Sequence, residues 1–282
     1  MGRKRKTTLR DLFLQIPFLL YSATILVMVF LLLVTPFRST NDLARGILVT
    51  PNSFTFDNFH DAWRNGLGTG IKNSMTLSLL TCVFTAFLGG FAGYAFSFLR
   101  FRLRNGLYLF MYSGIFVSTM LIALPLFLQY RQLGLVNSIF GALLIFTGLR
   151  IPFSVYLFKN FFDEFSMELI EAARIDGLND LRIFFRIVIP LSVGVLSTVV
   201  LFNFTAVWSD YLIGLLFLQK NSLMTIMPMI MNIFGSGPMV TQATPLGQGF
   251  AGLLVSTVPV IVIYAAAKKH YITGLTLGSV KG

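Results

Sequence analysis

Six long apolar runs constrain this chain more than any other feature, because runs of that length leave the backbone few choices. They cover roughly 17–37, 73–98, 107–129, 136–158, 187–212 and 246–267, and each meets the approximately 20-residue length that a membrane-spanning helix needs. In hydrocarbon a backbone must satisfy its own hydrogen bonds, so each run is expected to be helical. Hydrophobic residues make up 55% of the 282 residues and charged residues only 12%. A soluble domain carries about 25% charged residues, so the bilayer is the expected solvent. The fold class expected is therefore an all-α integral membrane protein of about six transmembrane helices, forming one domain over residues 1–282. No 20–50-residue repeat and no low-complexity segment interrupts it.

The net charge of +11 could be read as a nucleic-acid surface. The basic residues instead sit at the ends of apolar runs, which fits membrane topology and argues against a nucleic-acid partner. With the N-terminus in the cytoplasm, the inner loops and termini hold 15 basic residues and the outer loops 6, which places both termini inside. The inner set includes Arg3–Lys6, Arg100, Arg102, Arg104, Arg174, Arg182 and Arg186. The first run lacks a small-residue cleavage site and ends at Thr35-Pro36-Phe37-Arg38, so it reads as a retained span, not a removable signal. The longest outer loop runs from Arg38 to Lys72 and contains Pro51, Asn52, Asp57, His60 and Trp63. His60 reads as a solvated loop residue. One cysteine, Cys82, excludes an intrachain disulfide and a multi-cysteine metal site.

Between the fourth and fifth runs lies a polar island over residues 166–186. Ser166 can cap a short helix, with Glu168 in its first turn, where the helix dipole favours an anion. Met167, Ile170, Ala173 and Arg174 recur at helical spacing and give the helix one mainly apolar face. Ala172 and Ala173 form helix readily and have little bulk, so another surface can come close. Asp176-Gly177 stops the helix, since glycine adopts the left-handed conformation cheaply. Asn179 or Asp180 can cap a second helix from about Leu181, and Pro190 can kink it where the span begins. Physically this is a short exposed helix pinned by a turn to the base of a span. An ordinary amphipathic interfacial loop would share these properties.

The pattern E-A-A-x-x-x-G-x9-I-x-x-P shifts the weight between these two readings. Glu171-Ala172-Ala173, Gly177 and Ile187-Val188-Ile189-Pro190 closely resemble the cytoplasmic signature of permease subunits of binding-protein-dependent ABC importers. Ile189 stands where the signature usually has leucine. The register of six spans with the island between the fourth and fifth matches as well. The tail Thr273–Gly282 resembles the C-terminus of maltose-type carbohydrate permeases, specifically the smaller of the pair, and the segment Phe202–Tyr211 narrows the likeness to sugar uptake.

The resemblance implies a fold with a cytoplasmic coupling helix and a complex of two permease subunits, two ATPase subunits and an extracytoplasmic solute-binding protein. It implies a bacterial or archaeal cytoplasmic membrane. Glu171 would make a polar contact with the ATPase, Ala172 and Ala173 would permit close packing, and Asp176 and Gly177 would form the turn. The chain itself lacks a phosphate-binding loop of the glycine–lysine type. No cofactor is therefore expected on it, ATP and Mg belonging to the partner, and it is not expected to be an enzyme. Gly89 and Gly90, inside an apolar run, read as helix-packing positions.

Candidate solute-path residues follow from the cost of polar groups inside the membrane. Asn203, Trp208, Asp210 and Tyr211, near the outer end of the fifth run, mix hydrogen-bonding groups with aromatic faces, as a sugar site does. The alternative for Trp208, Asp210 and Tyr211 is an interfacial belt. Arg150, mid-run beside Pro152, could face the cavity for an anionic solute or pair with Asp210. Pro125, Pro190 and Pro259 are expected to bend spans. An importer for an amino acid, a polyamine or a phosphate ester shares the island, and the tail favours sugar. A membrane enzyme would need clustered catalytic groups, and a secondary transporter two matched halves with broken helices. Neither pattern is present.

Overall fold

The computed structural model describes residues 9–47, 53–235 and 246–277, with side chains from 15 to 268 within those ranges. The basic cluster Arg3–Lys6, loop residues Pro51 and Asn52, and tail residues 278–282 lie outside the described residues.

In chain order the helices are α1 (Leu9–Val34), α2 (Thr40–Ala44), α3 (Asp57–Ala62), α4 (Gly68–Phe98), α5 (Arg104–Ser113), α6 (Thr119–Gln132) and α7 (Ile139–Phe162). There follow α8 (Met167–Ile175), α9 (Asp180–Ile183), α10 (Ile189–Leu191), α11 (Val193–Trp208), α12 (Leu212–Phe217), α13 (Ile226–Ile233) and α14 (Leu246–Leu277). No β-strand occurs among the described residues, where one isolated bridge joins Arg38 and Phe54. Among the described residues, four helical stretches are long and apolar enough to span a membrane: Gln15–Phe37, Asp57–Phe98, Ile139–Phe162 and Leu246–Lys268. Two further pairs bring the total to six if each bent pair is one span: Arg104–Phe116 with Thr119–Gln132, and Asp180–Leu191 with Val193–Trp208.

Those bends differ from a straight reading of the apolar runs. The first pair is bent by 101°, and the break falls at Val117 and Ser118, both extended, while Pro125 sits inside an intact α6. Nothing in the apolar composition marks that break. Pro190 does lie at a kink. It cannot donate to the preceding turn, and a π-helical turn over Phe184–Val188 leads into it before the chain bends by 80° at Ser192. Pro152 and Pro259 lie within the continuous helices α7 and α14. The end of the polar stretch after the first run is helical, not loop: α3 runs through a π-helical turn at Trp63–Leu67 directly into α4.

Contacts divide the chain into two units. In the first, residues 1–65 and 230–255, Arg38 is buried and its guanidinium donates to the carbonyls of Asp42, Gly46 and Ile47. The Asn58 amide donates to the carbonyls of Pro36 and Arg38 at 2.9 and 2.7 Å. Two polar side chains thus satisfy the backbone carbonyls of Pro36, Arg38, Asp42, Gly46 and Ile47 instead of leaving them bare.

In the second unit, residues 66–229 and 256–282, α4 and α7 pack along their length. Small residues make the approach possible. A Cβ on Gly89 would lie 2.7 Å from the Cβ of Ser154, and one on Gly93 would lie 2.7 Å from the Cβ of Phe158. Backbones in lipid gain van der Waals contact only when such small positions face each other. One apolar cluster joins Leu77 of α4, Phe146 of α7, Val207 of α11 and Phe217 of α12. A second joins the other ends of α4 and α7 to α8, α9 and the start of α11, through Tyr94, Phe98, Phe158, Phe162, Ile170 and Phe184.

Candidate functional site

The polar island folds as an elbow. Its first arm is α8, with Ser166 at the N-cap position, yet the Ser166 side chain makes no capping hydrogen bond, so the expected cap is geometric only. Glu168 does stand in the first turn. The helix ends as its sequence dictates. Gly177 takes a φ of +80°, and the amides of Gly177 and Leu178 close on the carbonyls of Arg174 and Ala173 at 3.0 and 3.1 Å. Of the two candidate caps for the second arm, Asn179 takes the role: its side-chain oxygen accepts from the Arg182 amide at 2.9 Å.

Asp180 is left free for another task. Its carboxylate accepts from the Arg174 guanidinium at 2.9 Å and from the Tyr94 hydroxyl at 3.0 Å. The first contact ties the two arms of the elbow together. The second ties the elbow to α4. Hydrogen bonding to Asp180 pushes the Arg174 pKa up from its already high value, so this guanidinium stays charged throughout the accessible pH range.

The two faces of α8 have opposite destinations. Ile170 and Ala173 are buried among Phe158, Phe162, Ile183 and Phe184. Glu168, Glu171, Ala172 and Asp176 are exposed, and with them Leu169 and Ile175, the latter 85% exposed. The close packing that Ala173 permits is thus internal to this chain, whereas Ala172 remains on the outward side. An exposed isoleucine flanked by small and acidic residues is a surface suited to a protein partner.

The solute-path candidates are dispersed in role. Asn203 is buried, and its amide donates to the hydroxyls of Thr85 and Ser154 at 2.9 Å each, joining α11 to α4 and α7. Its carbonyl oxygen has no partner. Trp208 is also buried, stacked on Phe204 with ring centroids 5.6 Å apart, and its indole N–H donates to the Ser256 carbonyl at 3.0 Å. These two residues hold helices together within the unit. Asp210 accepts from the amides of Ile213 and Gly214 at 2.8 and 3.2 Å and so caps α12. Arg150 and Asp210 form no ion pair with each other, so the expected pairing is not made. Tyr211 is exposed. Sequence reasoning weighed Asp180 only as a cap and passed over Tyr94, because a tyrosine near the end of an apolar run gives no sign of where its hydroxyl will point.

Residues 86–271 match the family described as binding-protein-dependent transport system inner membrane component. The chain is 29% identical over 90% of its length to the melibiose/raffinose/stachyose import permease protein MelC of Bacillus subtilis (strain 168), covering 90% of that protein. It is 31% identical over 87% of its length to the trehalose transport system permease protein SugB of Mycobacterium tuberculosis (strain CDC 1551 / Oshkosh), covering 88% of it. Its fold matches a chain of a bacterial ABC transporter involved in import of the acidic polysaccharide alginate, with a TM-score of 0.78, 21% identity, and 96% and 99% of the two chains covered. The family match spans both arms of the elbow and the helices that seat it, and the chain belongs to the inner membrane components of binding-protein-dependent transport systems.

Proposed function

We propose that this chain is one permease subunit of an ATP-driven importer that carries a sugar or oligosaccharide across a bacterial cytoplasmic membrane by alternating access. The elbow carries this reading. One face of α8 is locked into the ends of α4 and α7, and the other offers Glu171, Ala172 and Ile175 to a partner. A force applied to that outward face reaches two transmembrane helices through packed rings, without a flexible link between. That is what a chain with no nucleotide site of its own needs in order to be driven by a separate motor.

On this reading the outward face docks on one of two ATPase subunits, which hold ATP and Mg, and both termini and the elbow lie in the cytoplasm. A second, homologous permease completes the pathway, and an extracytoplasmic binding protein delivers the solute. The carbohydrate class is supported by the substrates for which MelC and SugB are named and by the likeness of the tail Thr273–Gly282 to maltose-type permeases. Of the solute-path candidates, Tyr211 is the exposed one; Asp210 is occupied in capping α12, and Asn203 and Trp208 tie helices together.

The test is reconstitution of this chain with its companion permease, ATPase and binding protein in proteoliposomes. Sugar accumulation that requires ATP on the ATPase side, and requires the binding protein on the other, supports the assignment. Uptake that proceeds without ATP rejects it.

A further inference from the structure

The turn between α4 and α5, residues 99–103, with the first residues of α5, is not used by the elbow. It alternates basic and apolar side chains: Leu99, Arg100, Phe101, Arg102, Leu103, Arg104. It lies at the same end of α4 as the aromatic cluster that seats α8, because Phe98 packs on Phe162 and Phe165, and the Ser97 hydroxyl donates to the Lys159 carbonyl. Being the junction of two apolar helices, it stands at the level where hydrocarbon gives way to headgroups.

The three arginines differ in their tasks. Arg104 folds back, with its guanidinium donating to the carbonyls of Ser97 at 3.3 Å and Leu99 at 3.5 Å, and so closes the C-terminal end of α4. Arg100 and Arg102 are exposed, and neither has an ion-pair partner among the described residues. Asp163, at the end of α7, is engaged by Lys159. Leu103 takes a φ of +65°, a conformation that a branched apolar residue rarely adopts, and it projects a side chain that is 78% exposed. A strained backbone that turns a leucine outward beside two unpaired arginines calls for a surface that is apolar and anionic at once. Residues Arg100, Phe101, Leu103, Arg104, Asn105 and Gly106 line a shallow cavity of about 390 Å³ there, with polar and apolar walls.

We infer that this turn seats an anionic, phosphate-bearing lipid headgroup, with Arg100 and Arg102 on the phosphate and Phe101 and Leu103 in the adjoining hydrocarbon. Arginine matches phosphate through paired N–H donors, and basic residues near an anionic bilayer surface add attraction individually. An uncharged headgroup would leave two guanidinium groups without a counter-charge.

The experiment uses the whole importer assembly in nanodiscs of phosphatidylcholine and phosphatidylglycerol in equal amounts, followed by mass spectrometry of the lipid that remains bound after detergent extraction. The native assembly should retain phosphatidylglycerol in preference. The pair Arg100→Gln with Arg102→Gln should lose that preference by about tenfold, while Arg100→Lys with Arg102→Lys keeps most of it. Leu103→Asn, which suits the left-handed backbone but removes the apolar anchor, should give an intermediate loss. Equal retention by the native and Gln-substituted assemblies overturns the inference. So does displacement of the lipid by millimolar inorganic phosphate, which would make the ligand a soluble anion. A preference that appears only when the ATPase is stripped away overturns it too, since the turn would then be covered by protein.

Discussion

The Tyr94 hydroxyl on α4 donates to the Asp180 carboxylate at the start of α9, at 3.0 Å, and the same carboxylate holds Arg174 of α8 at 2.9 Å. Three helices thus meet at one acidic group. The two contacts are not equivalent. Arg174 and Asp180 have side chains more than a third exposed, and an ion pair so screened contributes less than about 1 kcal/mol. The Tyr94 ring is buried but its hydroxyl meets a carboxylate that is 47% exposed, so this hydrogen bond contributes roughly 0.5–1.5 kcal/mol, together with the packing that holds the ring in place. Replacing Tyr94 by Phe is therefore expected to lower the stability of the assembly more than Arg174→Ala does. Thermal unfolding of the two variants in the same detergent checks the order. The same comparison should show uptake falling severalfold in Asp180→Ala, which releases both contacts, with the ATPase still bound.

The close approach of α4 and α7 depends on Gly89 and Gly93. A side chain at Gly93 would meet Phe158 and the backbone of Lys159, so Gly93→Leu is expected to destabilise the fold by at least about 1–3 kcal/mol through overpacking. Gly148, on α7, has open space around it, and Gly148→Leu should be close to neutral. Yield and melting temperature of the two purified variants separate a packing glycine from a bystander.

Asn203 links Thr85 and Ser154 in the interior of the second unit, which makes it a helix tie more than a sugar contact. Asn203→Ala should cost about 1–3 kcal/mol of stability and leave the preference among sugars unchanged. Tyr211→Ala, at an exposed position, should leave stability nearly intact and alter uptake. Competition between labelled and unlabelled sugars distinguishes the two effects, and a change of preference in Asn203→Ala alone would reverse the assignment.

Much of this was legible in the sequence, for physical reasons. Lipid forces helix on any long apolar run, and glycine directly after Asp176, before a capping Asn179, favours a helix stop, so the spans and the elbow's turn follow from local composition. The bend at Val117–Ser118 did not follow, because its local composition is that of an unbroken apolar run; Gly114, just before it, lies close against Pro152 of α7. The faces of α8 were only half legible. Spacing put Ile170 and Ala173 on one side, but only the aromatic rings of α4, α7 and the turn before Pro190 decide that this side is the inner one. The roles of Asn203 and Trp208 were hidden for the same reason, since a polar or amphipathic residue in a span looks alike in sequence whether it ties helices or lines a path.

Glu171 is exposed and, among the described residues, no structural contact explains its presence on α8. Glu171→Arg should accordingly fold and assemble normally yet separate ATP hydrolysis from uptake. Copurification of the ATPase, hydrolysis rate and sugar accumulation measured on one preparation check it. Normal accumulation at normal expression would remove Glu171 from the coupling surface.

The most direct measurement is disulfide trapping along α8. Cys82 is the sole native cysteine and is buried, so in a Cys82→Ser background single cysteines at positions 172 and 175 report without interference. Position 173, turned inward, serves as the comparison. If α8 is the contact through which a separate motor drives transport, positions 172 and 175 crosslink to cysteines in the ATPase, position 173 does not, and the crosslinked complex stops accumulating sugar. Failure of both outward positions to reach the ATPase, in a complex that still transports, would contradict it.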